Sequence, residues 1–398
     1  MLRTLRSTPA LIPLMASTAI TMAGQGIISP ILPLYAETFQ VNVALVGMAV
    51  SGFGLARLLL NIPSGLAAGA FGRRPIMLAG AVVFAVANLF AGMAGDIWSL
   101  IFWRFVSGAG SAAFQTVGHV VVADLSTPEN RGRLMAYYEI SFLAGVSLGP
   151  TVGGFMAEWF GYASPFYLVA ILSTIGALWT LLGIPETRPD QRSRAAEGPL
   201  WQPLSLLQPA LLALFVVAMA TFFARAGAML SIAPLVASQR AGLTPAQIGM
   251  VFTGMVATQM VFVPFTGPLA DRIGRRRMLV PSMLVKGLAI LVLAASPTAW
   301  GFILFGLLTG LSTAMGGPAL PAYAADVASR VGGAGMSMGL YRTYGDVGML
   351  LGGPALGWIA DEAGFEGALL SNAALMAVAA ALFWILSRGA EKAAGSRQ

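Results

Sequence analysis

Cysteine is absent from the 398 residues, and histidine occurs once, at His119. Disulfides, iron–sulfur clusters and thiolate chemistry are thereby excluded. A single imidazole argues against a histidine-built metal site and against a Ser-His-Asp enzyme. Charge is scarce too. Asp, Glu, Lys and Arg make up 10% of the chain, where a soluble globular protein carries about a quarter. So little charge cannot form a solvated surface. Long polar stretches are nearly missing: only the segment from Pro185 to Gln208, rich in Pro, Arg and Glu, interrupts the apolar pattern for any length. A receptor-sized extramembrane domain has no place in such a chain. The clustered His, Asp or Glu of a membrane enzyme are not found either, so no enzymatic activity and no cofactor are expected.

What is present is apolar. Hydrophobic residues make up 57%, and the mean hydropathy is +0.79. Apolar runs recur along the whole length, and many reach the ~20 residues needed to cross a ~30 Å hydrocarbon core. They contain frequent Gly and Pro, which membrane helices tolerate. Arg3 and Arg6 followed by an apolar run suggest a signal peptide, but the run continues to Tyr35, too long for an h-region. The pattern predicts an all-α membrane protein of twelve transmembrane helices, at 10–36, 43–69, 76–95, 98–123, 134–157, 163–184, 208–237, 246–269, 278–296, 299–325, 336–360 and 366–386. Two six-helix bundles, 1–185 and 208–398, flank a linker at 186–207.

Orientation follows from Lys and Arg in the loops. With the N-terminus in the cytoplasm, the cytoplasmic segments hold Arg3, Arg6, Arg73, Arg74, Arg131, Arg133, Arg188, Arg192, Arg194, Arg272, Arg275, Arg276, Arg277, Arg330, Arg388, Lys392 and Arg397, against Arg240 alone outside. Both termini and the linker are therefore expected inside, in the cell (inner) membrane. The net charge of +7 is topological and implies no nucleic-acid partner. Trp98, Trp159, Trp300 and Trp358 fall near outer helix ends, where indoles sit at the interface.

The halves repeat. Gly65, Gly72 and Arg73 return 202 residues later as Gly267, Gly274 and Arg275. The same offset relates Gly108 to Gly310 and Ala123-Asp124 to Ala325-Asp326. Repeats of this kind place a substrate site near the midplane between halves.

These residues resemble the major facilitator superfamily over the whole chain. The loop signature G-x-L-A-D-R-x-G-R-R stands complete at Gly267, Leu269, Ala270, Asp271, Arg272, Gly274, Arg275 and Arg276. Its first copy runs from Gly65 to Arg74, with Gly69 and Ala70 in place of the acidic and basic residues. The resemblance implies a conformational clamp in which Asp271 favours the positive end of a helix beginning at the cytoplasm, worth ~0.3–1 kcal/mol. Gly65, Arg73, Gly267, Gly274 and Arg275 frame it, and Gly69 weakens the first copy. On helix 5, Gly145, Gly149, Pro150, Gly153 and Gly154 resemble the motif of the family's twelve-helix drug:proton antiporters. Their physical content is close helix approach and a bend. Helix 11 echoes them with Gly348, Gly352, Gly353, Pro354 and Gly357. Pro185-Glu186-Thr187-Arg188 is a further family-like ending after helix 6.

Six charged residues fall inside predicted spans: Arg57, Arg104, Glu139, Arg225, Arg342 and Asp346. Each costs ~2.5–3.5 kcal/mol at the centre of a span, so they must pair or face water. Arg104, four residues before Gly108, fits a family pattern implicated in proton coupling. Asp346 is the deepest carboxylate and the first candidate proton site, although Arg342 one turn earlier permits a plain ion pair. Glu139, nearer the end of helix 5, is the second. Arg57, Asn61, Gln25, Arg225 and Arg342 are expected to line the substrate cavity. Asp124 and Asp326 order loops, His119 is a packing residue, and Lys286 on helix 9 snorkels.

The expectation is a monomeric secondary active transporter working by alternating access, probing small-molecule or lipid-like substrates amid membrane lipids. Proton-coupled efflux of small amphipathic molecules is favoured, with the proton gradient as driving force. Metabolite uptake or export is the first alternative, and flipping of a lipid or lipid-linked sugar the second. Helix 1 offers only Gln25 where exporters of bulky cations often carry an acid. Span arginines outnumber carboxylates, so neutral, zwitterionic or anionic substrates are preferred over cations.

Overall fold

A computed structural model describes residues 10–127, 130–187, 208–331 and 334–395. Arg3, Arg6, Arg188, Arg192, Arg194, Arg397 and nearly all of the linker lie outside the described residues. Eleven helices among the described residues are long and apolar enough to cross a membrane. The last of them, Ala334–Gly395, holds two spans, because Gly364 breaks it with φ 74° and ψ 171°. The twelve spans are α1 (Leu11–Ile28, continued by Leu32–Glu37), α2 (Val43–Phe71), α3 (Arg73–Gly92), α4 (Ile97–Asp124), α5 (Arg131–Phe160) and α6 (Ser164–Gly183). In the second half they are α7 (Pro209–Ala224, Arg225–Ile232 and Ala233–Gln239), α8 (Pro245–Ile273), α9 (Arg275–Ala295), α10 (Ala299–Val331), and α11 and α12, the parts of Ala334–Gly395 before and after Gly364.

Local chemistry explains where these helices break. Pro30 and Pro33 carry no amide hydrogen; Pro30 lies within the interruption of α1 and Pro33 in the first turn after it. In α7 the middle turn widens into a π-helix over Arg225–Ile232. Ala233 N donates to Ala228 O, five residues back, and the Ser231 hydroxyl likewise reaches Ala226 O at 2.8 Å. Pro234, which cannot donate, follows at once. Such π-bulges recur at functional sites. Asp96 caps α4 by accepting from Ser99 N at 2.9 Å. Gly72 and Gly274 end α2 and α8 with φ of 105° and 94°, a region that L side chains avoid, so α3 and α9 begin at once after a sharp turn.

Surface and interior are inverted relative to a soluble protein. Ile62, Leu148, Leu182 and Trp300 are exposed, as suits side chains bathed in hydrocarbon. Buried positions hold Ser17, Thr18, Asn88, Ser107 and Ser111 together with glycines. Helices associate in lipid through close packing and internal hydrogen bonds rather than the hydrophobic effect.

The chain forms two compact units, one of Met1–Val41, Gly52–Ala196 and Thr244–Thr253, the other of Asn42–Ser51, Glu197–Leu243 and Gly254–Gln398. In the first unit α1 packs on α5 and α6, and α3 on α4 and α6. In the second, α7 packs on the Ala334–Gly395 run, and α9 on α10 and that same run. Helix N-termini are met by carboxylates in both. Within the first unit Glu158 accepts from Ala246 N at 3.1 Å, and within the second Asp361 accepts from Val43 N and Ala44 N at 2.8 and 3.0 Å.

Candidate functional site

In the first unit a chain of polar groups runs through the apolar interior. Ser111, Gln115 and His119 recur every fourth residue, so they share one face of α4. Gln25 Nε2 on α1 donates to Ser111 Oγ at 3.0 Å, and Gln115 Nε2 donates to the same oxygen at 2.6 Å. His119 Nδ1 lies 2.7 Å from Gln115 O, and His119 Nε2 lies 3.0 Å from Glu139 Oε1 on α5. The imidazole is also held edge-on by Tyr138, with ring centroids 4.9 Å apart. Beside this face Thr116 Oγ1 donates to Asn61 Oδ1 of α2 at 3.3 Å. The Glu139 side chain is 60% exposed and the His119 side chain 29%, so the chain runs from a buried serine to an accessible carboxylate.

The geometry fixes a proton count. A backbone carbonyl only accepts, so Nδ1 must carry the hydrogen it gives to Gln115 O. Nε2 then has two options. Either it is protonated too and donates to the Glu139 carboxylate, or it is bare and accepts from a protonated Glu139. In both cases the contact contains one proton. With none, two lone pairs face each other at 3.0 Å, and the contact cannot persist. The pair is therefore a one-proton latch between α4 and α5. Sequence reasoning took His119 for a packing residue, because imidazole and carboxylate are twenty positions apart. The available signal was that both lie near the same end of consecutive helices.

Arg104, paired in expectation with proton coupling, is 9% exposed and lies over the Phe53 ring, 4.8 Å from its centroid. It forms no ion pair among the described residues, and its Nε is buried without a partner. Gly108, one turn on, abuts the Phe53 carbonyl and Ala56, so the Arg-x-x-x-Gly spacing fits α4 closely onto α2. Arg57 is half-buried on that same α2.

In the second unit Arg225 opens the π segment of α7. Arg225, Arg342 and Asp346 all lie within electrostatic reach of the Tyr341 phenol. Arg342 and Asp346 stand one turn apart on the same helix. Lys286 corrects its expectation. Rather than reaching along α9 for an interface, it lines a small pocket with Ala224, Arg225, Met229, Phe305 and Thr309. The buried Thr309 hydroxyl there has no partner.

The helix-5 glycines act as expected of close packing. A Cβ on Gly145, Gly149 or Gly153 would collide with the backbone of Ala19, Gly26 and Ile27 of α1. One on Gly154 would collide with Pro245 O, inside the same unit. Pro150 sits inside the helix. Gly348 and Gly352 repeat this against Met219 and Phe223 of α7.

At the end of the bundle that carries the paired arginines, the two loop copies make different contacts. Asp271 is exposed, and the ion pair it makes is with Arg275 one turn on, at 3.7 Å. The helix beginnings that the expected clamp would engage adjoin 128–129 and 332–333, which lie outside the described residues. Gly267 has open space above it and Gly65 only an ordinary methyl contact. The arginines are ordered by other acids. Arg73 Nε lies 3.1 Å from Asp124, and Arg275 reaches Asp326 in the matching way. Glu186, unassigned from sequence, accepts from Arg73 N at 2.8 Å and Arg74 N at 3.2 Å at the start of α3.

The chain matches the model of the Major Facilitator Superfamily over residues 14–244 and 214–398. It is 26% identical over 380 residues to the Inner membrane transport protein YajR of Escherichia coli, covering 90% of this chain and 79% of that protein. It is 25% identical over 356 residues to Multidrug resistance protein 2 of Bacillus subtilis, covering 87% of each. Among solved structures, a bacterial homolog of the human lysosomal transporter Spinster, inward-facing and occupied, superimposes with a TM-score of 0.82 at 14% identity, covering 96% of this chain and 97% of the other. That likeness concerns the fold. With its two matched halves, its twelve predicted spans and its repeated loop signature, the chain belongs to the major facilitator superfamily and is a multi-pass membrane transport protein rather than an enzyme.

Proposed function

We propose that this transporter exports small amphipathic molecules in exchange for protons, by alternating access, and that His119 and Glu139 hold the exchanged proton. The observation that carries this reading is the one-proton contact between Nε2 and Oε1. A coupled carrier needs a group that binds a proton in one state and releases it in another. Here loss of the proton also dissolves a bond between two helices, which links occupancy to conformation. The Gln115 backbone carbonyl, which accepts from Nδ1, holds the imidazole in one tautomer. The proton gradient is the driving force, and no bound cofactor takes part. Asp346, in the electrostatic surroundings shared by Arg225 and Arg342, is assigned to charge balance in the substrate path, and Arg57 and Asn61 to the lining of that path.

Export of drug-like compounds is supported by the name of the Bacillus subtilis relative and by the helix-5 glycine motif. The excess of span arginines over carboxylates favours neutral, zwitterionic or anionic substrates. The basic end of the bundle is assigned to the cytoplasm, and the working unit to a monomer in the inner membrane.

The test is proton movement in sealed proteoliposomes on addition of anionic, zwitterionic and cationic amphiphiles in turn. Substrate-dependent proton movement in the wild type, absent in Glu139→Gln, is the expected result. Transport of a labelled compound with no proton movement in the wild type would overturn the coupling. Movement driven by lipophilic cations alone would overturn the substrate class.

A further inference from the structure

The inner loops of the two halves share a scaffold but not a charge. In the first half the space above Gly72 is filled by an anion of the chain itself. A Cβ built on Gly72 would lie 2.6 Å from Glu186 Oε2, and that carboxylate receives the Arg73 and Arg74 amides. In the second half no atom of the described residues lies within 4 Å of a Cβ on Gly274. The end of α12 brings Arg388 there, 202 residues after Glu186. Around the opening is a cavity of about 560 Å³ lined by Gly274, Arg275, Arg276, Arg277, Asp326, Trp384 and Arg388.

The cavity is strongly cationic. Four arginines face it and one acid, Asp326, which is engaged by Arg275. Arg276 and Arg388 are both packed on Trp384. Arg276 donates to Trp384 O at 3.0 Å, and its guanidinium lies 4.3 Å from the centre of the Trp384 ring. The Arg388 guanidinium lies 4.5 Å from the same ring. Planar guanidinium forks match tetrahedral oxyanions bidentately.

We propose that this cavity binds a phosphate group from outside the chain, which takes the place that Glu186 occupies in the other half. The group comes from an anionic phospholipid or from free inorganic phosphate. The two sources share the chemistry that the arginines recognise. The inference is independent of proton coupling and of transport direction.

The experiment uses the full chain purified in detergent and reads its thermal unfolding midpoint. Inorganic phosphate is titrated against sodium chloride at matched ionic strength. In a separate arm, mixed micelles contain phosphatidylglycerol or, as control, phosphatidylcholine. A saturable rise of several degrees is expected in at least one arm. A rise with inorganic phosphate assigns the free ion, and a rise confined to phosphatidylglycerol assigns the lipid. Arg388→Glu supplies the missing carboxylate. It should unfold without phosphate as high as the wild type does at saturation, and show no further response. Should that variant fail to fold, Arg388→Ala carries the test, with half-saturation at least tenfold weaker. A wild type indifferent to both phosphate sources, or an Arg388 variant that responds as the wild type does, would overturn the proposal.

Discussion

The three positions of α4 that carry the polar chain, Ser111, Gln115 and His119, have Thr313, Gly317 and Pro321 as their counterparts 202 residues on in α10. Thr313 bonds only its own helix, to Thr309 O at 2.7 Å. Glycine and proline offer no side-chain hydrogen bond at all. Yet the packing around these helices is duplicated, down to the glycines that let α5 touch α1 and α11 touch α7. The repeat has kept the scaffold and let the chemistry diverge. Polar groups inside a membrane cost several kcal/mol each unless satisfied, so they persist only where they are used. The scaffold's close contacts cost nothing of this kind and are retained twice. On the function proposed above, the first half handles the proton, while the second holds Arg225, Lys286 and Arg342 within its spans.

Substitutions at matched sites test how far that division goes. The largest effect is expected from bulk at the shared contacts. Gly153→Val forces a side chain into Ile27 O, and Gly352→Val forces one into Phe223 O. Each should destabilise by about 3 kcal/mol or more, read as loss of monodisperse protein in detergent, while Gly267→Ala, with open space above it, should be neutral. Markedly unequal outcomes at positions 153 and 352 would show that the scaffold is not equally shared.

Next come the loop ion pairs. The Arg73 and Asp124 side chains are 13% and 17% exposed, against 33% and 39% for Arg275 and Asp326. Asp124→Asn should therefore lower stability by about 1–2 kcal/mol, and Asp326→Asn by under about 1 kcal/mol once screening by water is allowed for. Thermal melts of the two variants side by side check the order. The smallest effect is at Glu186. Glu186→Gln keeps an acceptor for the α3 amides but removes its charge, at a cost of about 0.5 kcal/mol, measurable in the same melts and reduced by salt.

The fold was legible because its signals are long. Spans of twenty apolar residues, arginines gathered in alternate loops and a constant offset of 202 residues each draw on many positions. The broken α1 was foreshadowed by its prolines, whereas the π turn of α7 was not, since it depends on where the Ser231 hydroxyl and the Ala233 amide find acceptors. The site was less legible. Asp124 and Asp326 were read correctly as loop-ordering residues, because position at a helix end is enough for that. The link from His119 to Glu139 needs the rotation of two helices to be known, and so does the turn of Lys286 toward Arg225. The contact of Glu186 with the α3 amides was hidden for a similar reason. A motif names the loop, but only the folded chain shows which carboxylate reaches a helix terminus.

The central claim is that one half carries the proton and the other does not. The most direct measurement is substrate-driven proton movement in proteoliposomes for Glu139→Gln and Asp346→Asn, reconstituted at equal density and assayed together. Glu139→Gln should fall to the level of empty liposomes, while Asp346→Asn should still move protons with an altered substrate dependence. Proton movement that survives in Glu139→Gln and disappears in Asp346→Asn would contradict the account and place the proton site in the second half.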